Sequence, residues 1–323
     1  MKRFAASCLA LGVIVWAADR ASGAALERML PATTTDLRSG MELHPEVAVL
    51  GSSRAVYHYA ADTLQGRLGV RVYNFGRSGQ ASPLFHRAVG EMLLAEHPPR
   101  LLVLEVDASS VAGPDDLSRL AVLLPYWRRY PAVKEVVLRR SRFERVKLLS
   151  RAYPYNSLVL NMVVQRLRRR GEPRLGFRTL HGRADGAGGA DAATEETPLG
   201  PGGMRPEATK VRAVACLVAA MRGRGARVVA VRSPRLLPSA AARREAAEGH
   251  RLLAGVLGAM RVPFIDFEAS PGPAFRDPAY FRDVDHLNEE GATRFTRELA
   301  DSLRPYLAAA GGPGPVPRCA PAR

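Results

Sequence analysis

Short apolar runs alternate with helical stretches along this chain, and that alternation restricts its fold more than any other feature. Glu46-Val-Ala-Val-Leu-Gly, Val70-Arg-Val-Tyr-Asn-Phe-Gly, Leu101-Leu-Val-Leu-Glu-Val, Arg227-Val-Val-Ala-Val-Arg and Val262-Pro-Phe-Ile-Asp-Phe each have the length and apolar content of a buried strand. Helical patterns follow at 59–67, 82–96, 207–223, 239–259 and 288–303. Strands buried on both faces and joined by helices form parallel βαβ units with right-handed crossovers. The expectation is an α/β, doubly wound, five-stranded parallel sheet with helices on both faces.

Residues 110–206 break the rhythm. They carry helical patterns near 116–125, 142–151 and 156–170, then a Gly/Ala/Asp/Thr-rich loop from Arg183 to Gly203, and they read as a helical insertion covering one end of the sheet. A chain of 323 residues accommodates one core with such an insertion. At the N-terminus, Lys2 and Arg3 precede the apolar stretch Phe4 to Ala18, and small residues follow at Ala21-Ser-Gly-Ala. Residues 1–22 therefore read as a signal peptide or signal anchor, which implies a periplasmic or secreted location and possible N-terminal membrane attachment. The shortness of the stretch tilts the reading toward a cleaved peptide. Residues 23–44 read as a linker, 45–310 as the main domain and 311–323 as a disordered tail.

The formal charge of +16 would suit a polyanionic partner, but only Lys2, Lys134, Lys147 and Lys210 are lysines. The arginine runs at 139–140 and 168–170 lack interleaved aromatics. Tyr126-Trp-Arg-Arg-Tyr130 is a single mixed cluster, the pattern of a partly buried helix end, and no nucleic-acid partner is expected. The three cysteines make no disulfide framework, and Cys216, inside an apolar helical run, reads as a small buried hydrophobe.

Ligands of an open parallel sheet bind beyond the carboxyl ends of its strands. After the first strand stands Gly51-Ser52-Ser53-Arg54, where Ser53 is a candidate nucleophile; the alternative is that Ser52 or Ser53 only caps the next helix. Before the last helix stands Asp283-Val-Asp-His286-Leu-Asn288, where His286 is a candidate base and Asp283 the carboxylate that holds its tautomer. The same loop also reads as an ordinary polar turn capped by Asn288, or as a metal site built on Asp283, Asp285 and His286. No further ligand motif supports a metal, and neither metal nor cofactor is expected.

Taken together, these blocks resemble the SGNH, or GDSL-like, hydrolases in the Gly-Ser-Ser-Arg and Asp-x-x-His-Leu-Asn-x-x-Gly-Ala forms of exported bacterial members. Asn74-Phe-Gly76-Arg-Ser78-Gly79 is similar to that family's second block. The resemblance spans roughly 45–110 and 207–305. It implies a flavodoxin-like SGNH hydrolase fold, a Ser53–His286–Asp283 triad, and an oxyanion hole formed by N–H groups of Ser53 and Gly79. The third family block normally supplies an asparagine, whereas this strand ends Glu105-Val106-Asp107-Ala108-Ser109. Arg54, Ser109 and Asn156 are candidate substitutes and possible substrate contacts. The activity so implied is that of a serine esterase or acyl hydrolase acting on an O-acylated, typically O-acetylated, extracytoplasmic glycan or other small ester. The alternatives are a polysaccharide O-acetyltransferase and a weakly active or inactive carbohydrate-binding protein of the cell envelope.

Overall fold

The computed structural model describes residues 1–30, 37–168, 175–184, 204–270 and 272–308. The expected tail at 311–323 and most of the loop from Arg183 to Gly203 lie outside them. The chain divides into two compact units, one of residues 1–39 with 117–171 and one of 40–116 with 172–323.

The second unit contains five parallel strands, β1 (Val47–Leu50), β2 (Val72–Asn74), β3 (Leu101–Glu105), β4 (Arg227–Arg232) and β5 (Phe264–Asp266), in the order β2-β1-β3-β4-β5. This is the doubly wound order, with its switch point between β1 and β3. Val47, Val49, Leu101, Val103, Val229 and Val231 share a core with Leu64, Phe295, Leu299 and Leu303 of the helices Ala61–Leu68 and Glu289–Ala308. The alternate residues, among them Ala48, Leu50, Leu102 and Leu104, are also buried. On that second face the helices Pro83–Glu96 and Ala208–Gly223 pack closely: a Cβ on Gly90 would lie 2.3 Å from Leu217 Cδ1, so a larger residue there would have to displace the Leu217 side chain.

The helix expected at 59–67 is Ala61–Leu68, and a further short helix, Ser53–His58, precedes it and ends where Tyr59 leaves helical geometry at φ −98°, ψ 88°. Residues 175–184, expected inside the insertion, belong to the sheet unit. Leu175 O accepts from Asn74 N at 2.9 Å, Arg178 N donates to Val56 O at 3.1 Å, and Leu180 O accepts from Glu289 N at 2.9 Å. Cys216, expected as a small buried hydrophobe, is 3% exposed, and Cys8 is free.

The first unit combines the N-terminal helix Lys2–Met29 with the short helices Pro131–Leu138, Glu144–Lys147 and Val159–Arg168 and the 3₁₀ segments Leu117–Tyr126 and Tyr153–Tyr155. The residues expected as a linker from 23 are thus helical to Met29, and Arg38–Glu42 is helical again. Local composition misled here because Gly23 serves a packing contact rather than flexibility: a Cβ there would lie 2.5 Å from Arg151 Cγ. The N-terminal helix is long and apolar enough to cross a membrane.

Candidate active site

The tight turn after β1 is enforced by crowding. A Cβ on Gly51 would lie 2.6 Å from Glu105 Cβ and 2.7 Å from Ala55 Cβ, which lets β3 and the helix Ser53–His58 close on the turn. Ser52 occupies the N-cap position but makes no side-chain capping bond, and Ser53 is the first helical residue. Its Oγ lies 2.9 Å from His286 Nε2, joining positions 233 residues apart in the chain. His286 Nδ1 in turn lies 2.9 Å from Asp283 Oδ1.

Asp283 Oδ1 also accepts the backbone N–H groups of Asp285 and His286, at 3.0 and 2.9 Å. Burial raises the Asp283 carboxyl, but the hydrogen bond from the His286 ring, its charge and these two N–H groups outweigh that and hold it below the ordinary carboxylate range. The loop itself is pinned by Arg282 N on His286 O at 2.8 Å and Leu236 N on Val284 O at 2.9 Å. Asn288 explains the Asn-x-x-Gly pattern: its Oδ1 accepts from Gly291 N at 3.0 Å, and its Nδ2 donates to Ala279 O and Gly182 O. Gly291 is required because a Cβ there would lie 2.1 Å from Tyr280 O.

The second block borders the same turn. Asn74 Nδ2 donates to Ala55 O at 2.6 Å and Tyr59 O at 3.0 Å, and Arg77 N donates to Gly51 O at 3.0 Å. Gly79 takes φ +75°, a conformation that favours glycine, and Ser78 Oγ donates to Tyr57 OH at 3.2 Å. The Tyr57 ring meets the His286 ring edge-on at 5.5 Å.

The candidate substitutes for the absent asparagine stand elsewhere. Arg54 is 5% exposed and is ion-paired with Glu268 at 3.0 Å, Glu105 at 3.2 Å and Asp107 at 3.5 Å, so its guanidinium serves the interior. Burial works against the Arg54 cation, but those three charges outweigh it and hold its pKa above the ordinary value. Ser109 is exposed, and its hydroxyl donates to Asp107 Oδ1. Asn156 is exposed at the end of Tyr153–Tyr155 and belongs to the other compact unit. Asp107 itself accepts from Ser110 N at 3.1 Å. Burial raises its carboxyl, yet Arg54 and the Ser109 hydroxyl outweigh that and hold it below the ordinary carboxylate range, so the carboxylate at the end of β3 is an acceptor.

Sequence reasoning missed a buried polar chain behind the His286 loop. Leu287 N donates to His58 Nε2 at 3.0 Å, which leaves the ring proton on Nδ1; Nδ1 faces Ser233 Oγ at 2.8 Å, and Ser233 Oγ donates to Glu105 Oε1 at 2.9 Å. Burial, then the charges of His286 and Arg54, hold His58 well below its ordinary pKa, so it is neutral. Burial pushes the Glu105 carboxyl up to about 7 against the pull of Arg54 and of the hydrogen bonds from Tyr59 and Ser233. Glu268 closes the network, accepting from Arg232 and Arg235. Glu105, Ser233 and Glu268 all stand at or just past the carboxyl ends of β3, β4 and β5, the signal that would have found them.

A surface cavity of about 660 Å³ is lined by Tyr280, Arg183, Asn288, Glu290 and Arg297 among others; Ser53 and His286 do not line it. Among the described residues no group of His, Cys, Asp and Glu could hold a metal ion.

No family profile matches the chain, and no curated protein matches its sequence. Among solved structures it is similar to a Bacteroides fragilis protein provisionally described as an acylhydrolase, with 12% identity over 80% of this chain and 87% of that one and a TM-score of 0.34. A likeness that distant has no bearing on what the site does.

Proposed function

We propose that the protein is a serine esterase in which Ser53, His286 and Asp283 form the catalytic triad. The observation that carries this reading is the continuous chain Ser53 Oγ to His286 Nε2 at 2.9 Å and His286 Nδ1 to Asp283 at 2.9 Å, at the carboxyl rim of a doubly wound sheet. Ser53 Oγ attacks an ester carbonyl while His286 Nε2 takes its proton. The imidazolium, stabilised by Asp283, then protonates the leaving alkoxide. Water attacks the acyl-enzyme with its proton passing to His286, which returns it to Ser53 as the acid departs. N–H groups of Ser53 and Gly79 hold the oxyanion.

The substrate we infer is a small O-acyl group, such as acetyl, on an extracytoplasmic glycan or related ester. The membrane-length N-terminal helix favours a site outside the cytoplasm. A catalytically weak or inactive carbohydrate-binding protein is the second reading. It is favoured by the lack of an asparagine in Glu105-Val106-Asp107-Ala108-Ser109, the segment where the resembling family supplies an oxyanion donor; loss of one such donor slows acyl transfer by about a hundred- to a thousandfold. Hydrolysis of p-nitrophenyl acetate by the full chain beside its Ser53→Ala variant tests the proposal. The expected result is turnover abolished in the variant. Equal turnover in both, or none in either, overturns the esterase reading.

A further inference from the structure

The unit that contains the N-terminal helix also carries an exposed apolar stripe that the esterase reading leaves unused. Around the α-helix Glu144–Lys147, Lys147 N donates to Phe143 O and Leu148 N to Glu144 O, while Val146 N donates to Phe143 O and Leu149 N to Val146 O, so the backbone from 143 to 149 is helical with bonds at intervals of three and four. Side chains three apart on a helix are neighbours on one face. Phe143, Val146 and Leu149 are accordingly 52%, 65% and 71% exposed along one stripe, while Glu144 and Leu148 on the opposite side are buried. Arg142, Arg145 and Lys147 flank the stripe and are exposed, with the Arg142 guanidinium 4.6 Å above the Phe143 ring.

The stripe abuts the place where the N-terminal helix turns from apolar to polar. Arg20 Nη2 donates to Leu149 O at 2.5 Å, and Asp19 accepts from Ser150 Oγ, Arg151 N at 2.8 Å and Ala152 N at 3.2 Å. Cleavage among the small residues at 21–24 would remove Asp19 and Arg20 and strip residues 149–152 of these partners. The helix therefore behaves as a retained part of this unit. Its apolar stretch Phe4 to Ala18 is exposed along almost its whole length. The helix Lys2–Met29 is long and apolar enough to cross a membrane, so structure packed beside the polar end of its apolar stretch stands at the bilayer surface.

We propose that Phe143, Val146 and Leu149 form a collar that inserts into the lipid surface beside the N-terminal helix, with Arg142, Arg145 and Lys147 meeting anionic headgroups. Continuity with the helix selects a bilayer as the occupant. An apolar stripe rimmed by cations is also the pattern of an interfacial membrane contact.

The test uses the full chain reconstituted in vesicles of phosphatidylcholine and phosphatidylglycerol with acyl chains brominated at shallow or deep carbons. The chain has only two tryptophans, Trp16 and Trp127, so single reporters are simple to make. One variant keeps Trp16 alone. Two others replace Trp16 and Trp127 by Phe and carry Phe143→Trp or Leu149→Trp. Quenching of Trp16 by brominated chains reports that the helix is inserted. The expected result is that the reporters at 143 and 149 lose most of their emission to shallow bromines and emit blue-shifted from the wavelength of tryptophan in water. Water-like emission at 143 and 149 with no bromine quenching, while Trp16 is quenched, overturns the collar and points to a protein partner. An unquenched Trp16 overturns it as well, since the helix would then not be in the bilayer.

Discussion

Replacing Arg54 by methionine separates an interior charge clamp from a substrate contact. Its guanidinium lies 3.0–3.5 Å from Glu268, Glu105 and Asp107 at 5% exposure. Glu268 keeps Arg232 and Arg235, Asp107 keeps Ser109 and Ser110, and Glu105 keeps its hydrogen bonds from Tyr59 and Ser233 but loses the cation paired with it at 3.2 Å. Breaking a buried ion pair from one side costs about 3–5 kcal/mol. For a unit of this size that lowers Tm by roughly 10 °C.

The deficit depends on pH with a definite sign. The Glu105 carboxyl already has its folded pKa raised to about 7, above an ordinary value of 4.5, so its protonated form favours the fold and stability from this group falls as pH rises from 4.5 to 7. Without Arg54 the folded pKa rises further, and that fall continues above pH 7. Arg54→Met is therefore about 1.4 kcal/mol worse relative to the wild type at pH 8 than at pH 6, one pH unit of added slope. Thermal unfolding followed by near-ultraviolet circular dichroism at the two pH values measures both quantities. A pH-independent loss below about 1 kcal/mol, accompanied by a raised KM for ester, would refute the clamp and restore Arg54 as a substrate contact.

Three further outcomes follow from the same geometry. Asp283→Asn removes the carboxylate that orients His286 and should lower kcat by about ten-thousandfold with KM little changed, the behaviour known for this substitution in a serine protease triad; a loss below tenfold in steady-state kinetics would remove Asp283 from the triad. His58→Phe strands Leu287 N–H and frees the loop that carries His286, and a displacement of about 1 Å costs about a hundredfold in rate. His58→Gln, whose amide oxygen can accept from Leu287 N, should recover most of that loss, and equal rates in the two variants would refute the positioning role. Gly76→Ala would place a Cβ 2.6 Å from Ala55 Cβ and 2.8 Å from Val56 N. It should cost about 1–3 kcal/mol of overpacking and reduce turnover by shifting Ser53, seen as falls in both Tm and kcat.

The sequence by itself determined the sheet. Leu101–Glu105 and Arg227–Arg232 are apolar runs whose composition suffices for burial on both faces, and their alternation with helices leaves a parallel doubly wound order as the economical solution. It also nominated Ser53, Asp283 and His286, since residues that follow strand ends share one rim however far apart they stand in the chain. Only the tertiary structure decided the distances between them, and that Arg54 turns inward to three carboxylates while Asn156 belongs to another unit. The relay from Leu287 through His58 and Ser233 to Glu105 spans four chain segments, and no local periodicity records contacts of that separation. The N-terminal helix shows the same limit: its apolar stretch was visible as an export signal, but its continuation to Met29 depends on Asp19, Arg20 and Gly23 meeting residues 149–152, more than 120 positions away. Propensity and pattern act between neighbours along the chain, whereas hydrogen bonds and close packing act between neighbours in space, and the second set exists only once the chain has folded.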